Sequence, residues 1–262
     1  LAEHVARRTT IPLLERGRLM GLAVATPNEA ITPSVADELS DAQIKLSSAP
    51  MVVDLSALWA GPLCSHILQQ CGFRVVKVES VQRPDGAREG SPIHFNALHK
   101  GKRLRRFDFA DANDLQGLRE LLASADVVIE GSRPRALRAL GLDRDSLMGG
   151  ACSATSSQLW LSLTAYGRPR PYGDWVGFGD DVAIAAGAYT LTNNKLPSFL
   201  GDAIADPLTG LLGALIVLHL RHWRVCGLVD LSLFRAVNFC VDWILDSGGV
   251  MASPTTYPAL RC

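Results

Sequence analysis

Asp206 is followed by Pro207 and opens the apolar run from Leu208 to Leu220. By itself that pattern describes a helix N-cap with proline at the first helical position. A carboxylate so placed is aimed by the helix and kept ionised, at some cost in basicity. The cationic run "HKGKRLRR" contains Lys102 and Arg103. It offers donors for charge-assisted bonds to phosphate, or else a solvated basic edge on a strand. Trp59 either lines a narrow channel or fills the core as an ordinary aromatic. The six cysteines (Cys64, Cys71, Cys152, Cys226, Cys240, Cys262) form no CxxC pair and have no histidine at zinc-finger spacing, so they read as buried thiols in a reducing compartment. No metal constellation is expected.

These groups need a scaffold, and the scaffold is legible from residue 51 onward. "MVVDL", "RVVKVE", a weaker "RLRRFDF", "DVVIE" and "LWLSL" read as strands. Helical segments separate them: Gly61 to Gln70 closed by Gly72, Asp111 to Leu122, and "PRALRAL" opened by Pro134. This alternation predicts an α/β fold, a Rossmann-like, largely parallel sheet flanked by helices. No GxGxxG follows the first strand, where "SALWAGP" stands, which counts against a nicotinamide enzyme. Helices are expected over Asp180–Tyr189 and Pro207–His222, then a strand "GLVDLSL" and a helix through Asp246. Residues 1–48 read as an N-terminal helical and linker extension, 49–246 as the main domain and 247–262 as a tail.

Composition narrows the function classes. Apolar residues make up 48% of the 262, enough to bury a sizeable core. Lys plus Arg and Asp plus Glu number 26 each, so there is no electrostatic reason to expect nucleic acid or an anionic membrane as partner. The longest apolar run falls short of a membrane span, and no basic-then-apolar leader opens the chain. A cytoplasmic protein is the expectation.

The segment "VVDLSALWAGPLCSHILQQCGFRVVKVE" resembles the class III CoA-transferases, which include formyl-CoA transferase, carnitine CoA-transferase and α-methylacyl-CoA racemase. The likeness continues in order through "HKGKRLRRFDF", "ADVVIEGSRPRALRALGL", "WLSLTAYGRPRPYGDWVGFGDD", "GDAIADPLTGLLGALIVL" and "GLVDLSLFRAVNF". It spans roughly residues 51–245. The resemblance implies CoA transfer from an acyl-CoA to a carboxylic acid through an aspartyl anhydride and an aspartyl-CoA thioester. The family's D-x-x-x-G motif falls on Asp206 and Gly210, making Asp206 the implied nucleophile, with Asp202 the second candidate. Matching positions for coenzyme A are Leu58, Trp59 and Ala60 after the first strand; Lys102 and Arg103; and Ser132, Arg133 and Ala136. His99 stands at a family asparagine position, so the resemblance places it against CoA as well. The implied partners are an acyl-CoA, a carboxylic acid and a second copy or a related subunit, with no metal, nucleic acid or membrane.

Several departures define the alternatives. Where the racemase branch carries histidine this chain has Phe178, so an acyl-CoA racemase, which needs two bases, is the runner-up. Gly179 occupies the place of a family acid, with Asp180 and Asp181 as substitutes one residue on. Gly131-Ser132 replaces an Asn-Phe pair. Set against the family, the expectation is a small domain truncated or absent, and "RTTIPLLERGRLMGLAVATPNEAI" is faintly similar to the family's C-terminal segment. A non-catalytic or half-site subunit that needs a partner chain is therefore the third reading.

Overall fold

The computed structural model describes residues 5–31, 38–41, 48–148, 158–192 and 196–247. Along the chain come α1 (Thr10–Leu19), β1 (Glu38–Asp41), β2 (Met51–Asp54), α2 (Ala60–Gln70), β3 (Arg74–Ser80), α3 (Ala87–Gly90), α4 (Pro92–His99) and β4 (Arg103–Phe107). There follow α5 (Ala112–Ala123), β5 (Val127–Glu130), α6 (Pro134–Ala139), α7 (Arg144–Met148), β6 (Leu159–Thr164), α8 (Gly179–Ala185), α9 (Ala205–His222), β7 (Val225–Ser232) and α10 (Leu233–Asp246). The strands form one seven-stranded sheet in the order β1-β7-β6-β5-β2-β3-β4. Six are parallel; β1 alone is antiparallel, pairing Glu38 with Leu228 and Asp41 with Val225.

The α/β reading is the observed fold. β5 and β6 are buried at every residue, as parallel strands covered on both faces must be. One face carries α2 and α9, whose Cys64, Leu68, Ala214 and Val217 join a core with Leu161 and Val229. The opposite face carries α5 and α6, where Leu118, Leu122 and Leu137 pack on Val53, Val128 and Trp160. Leu118 and Leu122 are fully buried, so truncating either to alanine costs about 2–5 kcal/mol. α5 begins on Asp111, whose carboxylate accepts from the amides of Asn113 and Asp114, both at 2.9 Å. A third cluster joins Tyr166, α8 and α10 through Val182, Phe234 and Val237.

Three expectations need correction. The linker expected within residues 1–48 contains a strand, β1; four residues of ELSD carry no strand pattern of their own, and pairing to β7 creates the strand. The helix expected over Asp180–Tyr189 ends at Ala185, because Gly187 takes a left-handed turn (φ 86°) before a short 3₁₀ turn at Ala188–Leu191. Of the cysteines, Cys64 and Cys226 are buried and Cys240 half-buried, but Cys71 is exposed just past α2; Cys152 and Cys262 lie outside the described residues.

The N-terminal piece docks on the main body. Arg18 of α1 pairs with Glu29 at 2.5 Å, both side chains almost wholly buried. The amide of Glu29 donates to Ala185 O at 2.9 Å. The Arg18 guanidinium lies 3.7 Å from the centre of the Trp175 ring. Among the described residues no helix is long and apolar enough to cross a membrane.

Candidate active site

The strand order reverses between β2 and β5: the chain proceeds outward through β3 and β4 on one side and through β6 and β7 on the other. In such sheets the crevice at the carboxyl ends of the strands at this point is where ligands bind. A cavity of about 480 Å³ lies there. Its walls come from the segments after β2 (Ser56–Gly61), after β5 (Gly131–Pro134) and after β6 (Thr164–Phe178), and Asp206 forms part of them. A second cavity of about 490 Å³ adjoins it, sharing Ser56, Ala57, Arg83, Ser132 and Arg133 and adding Ala136.

Asp206 is the second residue of α9, not its cap. The cap is Ile204, and no side chain caps this helix. The Asp206 carboxylate instead meets the backbone N–H groups of Ala60 and Gly179, the first residues of α2 and α8. Burial pushes its pKa up to about 6, with repulsion from Asp180 and Asp181 adding to it against the two donors. The basicity expected to be lost at a helix start is therefore more than restored. The two glycines of the local motifs explain the seat. A Cβ on Gly179 would lie 2.2 Å from Asp206 Oδ2, so the absence of an acid there is what lets the carboxylate rest on α8. A Cβ on Gly210 would lie 2.6 Å from Ala60 O, so glycine four residues after Asp206 lets α2 approach α9. Asp202 is exposed; Asp180 Oδ1 accepts from the Ala203 amide at 2.8 Å, and Asp181 Oδ1 from Phe178 at 2.8 Å.

A buried polar network fixes the loop after β2. Asp54, fully buried, accepts from Ser56, from Ser65 Oγ at 2.5 Å, and faces Lys102 Nζ at 3.7 Å. Burial opposes its charge most strongly, but Lys77 and Lys102 together with the Ser56 and Ser65 hydroxyls outweigh it and hold the pKa below the ordinary value. Lys77 donates to Ser56 O and pairs with Asp85 at 3.5 Å. Asp85 Oδ1 accepts from the Leu58 amide at 3.1 Å, holding Leu58 in the left-handed region at φ 66°. A second network pins the far wall: Arg168 donates to Glu130 and to Ser162 Oγ, and its amide to Asp230 at 2.9 Å.

The predicted residues separate into two groups. Leu58, Ala60, Ser132 and Arg133 line the cavity that Asp206 lines, and Ala136 lines its neighbour. Trp59 sits beside them, its ring 4.8 Å from that of His94, in a smaller cavity that Asp206 also borders. Lys102 is not with them. Its ammonium is buried on Pro62 O (2.8 Å) and Ser65 Oγ (2.7 Å), and burial brings its pKa down to about 8. Arg103 stays exposed on the β4 edge, the solvated alternative. His99 is likewise inside, 4.0 Å from Asp85, with burial driving its pKa down to about 4. Arg83 is the cation that sequence reasoning missed. It lines both large cavities with Arg133, and among the described residues neither guanidinium has an acidic partner. The only available signal was its place just beyond the carboxyl end of β3.

Comparison with known proteins follows the same lines. The profile of CoA-transferase family III matches residues 50–249. An acyl-CoA transferase of Fusarium pseudograminearum is 32% identical over 205 residues, covering 70% of this chain and 44% of that protein. A succinyl-CoA–D-citramalate CoA-transferase of Chloroflexus aurantiacus is 28% identical, covering 71% of this chain and 48% of its own length. Among solved structures, a CaiB/BaiF family protein from Brucella suis superposes with a TM-score of 0.66 at 28% identity, over 76% of this chain and 57% of that one. The chain thus spans about half the length of the curated relatives it matches. Together the ordered motifs, the profile match and the fold place it: the chain belongs to CoA-transferase family III.

Proposed function

We propose that the chain carries the nucleophile-bearing half of a CoA-transferase that moves CoA from an acyl-CoA thioester to a carboxylic acid. The observation that carries this reading is the seat of Asp206: a carboxylate of raised basicity, held by two backbone donors, on the wall of a cavity that Arg83 and Arg133 also line. In the proposed cycle an Asp206 oxygen attacks the thioester carbonyl and the C–S bond breaks, giving an aspartyl-acyl anhydride and CoA thiolate. The thiolate then attacks the aspartyl carbonyl, releasing the first carboxylate and leaving an aspartyl-CoA thioester. The acceptor carboxylate attacks that thioester and expels the thiolate, which takes the acyl group from the second anhydride and frees Asp206. Each step exchanges one acyl bond for another, so no redox partner is needed. The Ala60 and Gly179 N–H groups are suited to stabilise oxyanion character as the carboxyl carbon becomes tetrahedral. Arg83 and Arg133 offer paired donors for the CoA phosphates, and Leu58, Ser132 and Ala136 line the path between.

The racemase alternative loses support, because among the described residues no histidine lines either large cavity and Phe178 stands at the wall. One observation favours an associated form. Phe239 and Trp243 of α10 are 60% and 66% exposed, an apolar face suited to a partner chain, and a relative 29% identical is named a succinyl-CoA–L-malate CoA-transferase beta subunit. The test is the intact mass of the protein after incubation with several acyl-CoAs. A covalent adduct that hydroxylamine removes and that Asp206→Asn lacks is the expected result. No adduct from any donor, with CoA bound reversibly, would overturn autonomous transfer and leave the half-site subunit.

A further inference from the structure

Asp206 borders two cavities, not one. On its other side lies a pocket of about 320 Å³ lined by Leu58, Trp59, Ala87, Phe178, Asp180 and Asp202, among others. Leu58 and Phe178 line this pocket as well as the large cavity, so the carboxylate stands in the gap between them. The two sides differ in charge. Arg83 and Arg133 lie on the large-cavity side. The small pocket has Asp180, Asp202 and Asp206 in its wall and no lysine, arginine or histidine. Apart from Ser91, its remaining lining is apolar side chains and glycine, with Trp59 backed by His94.

Resting on the CoA-transfer reading above, we infer that the small pocket receives the acyl group, and that its three carboxylates select a neutral acyl chain against one ending in a carboxylate. The polyanionic carrier is held by the cations on one side, and the acyl group passes between Leu58 and Phe178 to the other. A terminal carboxylate entering there meets like charges with no counter-ion in the wall, which is specificity by repulsion. A terminal methyl meets Trp59, Ala87 and the Phe178 ring without that penalty.

Butyryl-CoA and succinyl-CoA serve as probes, sharing a four-carbon chain and differing in the terminal carboxylate. The expected rate of adduct formation per unit donor is at least tenfold higher with butyryl-CoA, and Asp202→Asn narrows the ratio to about threefold or less. Raised salt narrows it in the wild type as well. Equal rates, a preference for succinyl-CoA, or a ratio untouched by the substitution would overturn the inference. Asp202 is exposed, and the wild-type ratio and its salt dependence decide the matter even should the variant not fold. A parallel measurement separates this inference from its foundation: the Kd of CoA itself and of two thioethers, S-propyl-CoA and S-(2-carboxyethyl)-CoA. CoA binding with equal thioether affinities removes only the acyl-pocket assignment. Absence of CoA binding removes both.

Discussion

At the scale of single residues, Asp206 carries two opposed demands whose balance can be measured. Its carboxyl titrates near 6 in the folded chain against an ordinary 3.8, so the folded state binds this proton more tightly than the unfolded one. Such a group opposes folding above pH 6, and the opposition fades as pH falls from 6 towards 4. Asp206→Asn removes it. The variant is therefore expected to be more stable than the wild type at pH 8, by on the order of 2 kcal/mol, and to show no such gain at pH 4. Urea unfolding at the two pH values reads this directly. Loss of stability at pH 8 would mean that the carboxylate is a structural anchor. On the proposed mechanism, adduct formation by the wild type should follow the same group with opposite consequence: it requires the anion and is expected to fall about tenfold per pH unit below 6. Local sequence could not have given this balance. Asp followed by proline and an apolar run reads as a cap, whereas the donors that meet the carboxylate come from Ala60 and Gly179, far away in the chain.

Among elements, legibility followed burial. The covered parallel strands are rich in buried apolar residues, and β2, β3, β5 and β6 are readable for that reason, whereas the exposed edge strand β4 is polar and weaker. β1 is not readable, since an edge strand made of Glu, Leu, Ser and Asp exists only by pairing with β7. Lys102 and Arg103 show a finer limit. They are neighbours of equal charge, yet one ammonium is buried on Pro62 and Ser65 and the other side chain faces solvent. The N-terminal piece is the element whose role emerged only in three dimensions. Arg18 stacks on Trp175, a wall of the large cavity, and Gly21 lines that cavity too. Breaking the buried Arg18–Glu29 pair from one side leaves an uncompensated charge, so Arg18→Leu is expected to cost about 3 kcal/mol. Combining it with Glu29→Leu should recover at least ~1.5 kcal/mol of the summed single losses, since the residues are in direct contact. Losses that simply add would show that the segment is held by its backbone contacts alone.

For the molecule as a whole, the decisive feature is the reversal of strand order between β2 and β5, which opens the crevice and sets its polarity. It gathers loops from three strands at one end of the sheet, and of the two large cavities there Asp206 lines one while Arg83 and Arg133 line both. On the proposed reading that arrangement suits a carrier held by its phosphates away from its reacting sulfur, because anchoring remote from the chemistry supplies binding energy that positions the thioester. Arg83→Ala and Arg133→Ala are thus expected each to weaken CoA about tenfold, roughly 1.4 kcal/mol, with the loss shrinking at high salt. The two guanidiniums sit among exposed side chains of the loops after β3 and β5, so neither change should move the unfolding midpoint appreciably. Calorimetric titration with CoA and with pantetheine separates the contributions. Pantetheine lacks the phosphates and should bind the variants and the wild type alike. If its affinity fell in step with that of CoA, the arginines would be shaping the cavity rather than holding phosphate, and the CoA diphosphate would have to lie elsewhere on the crevice wall.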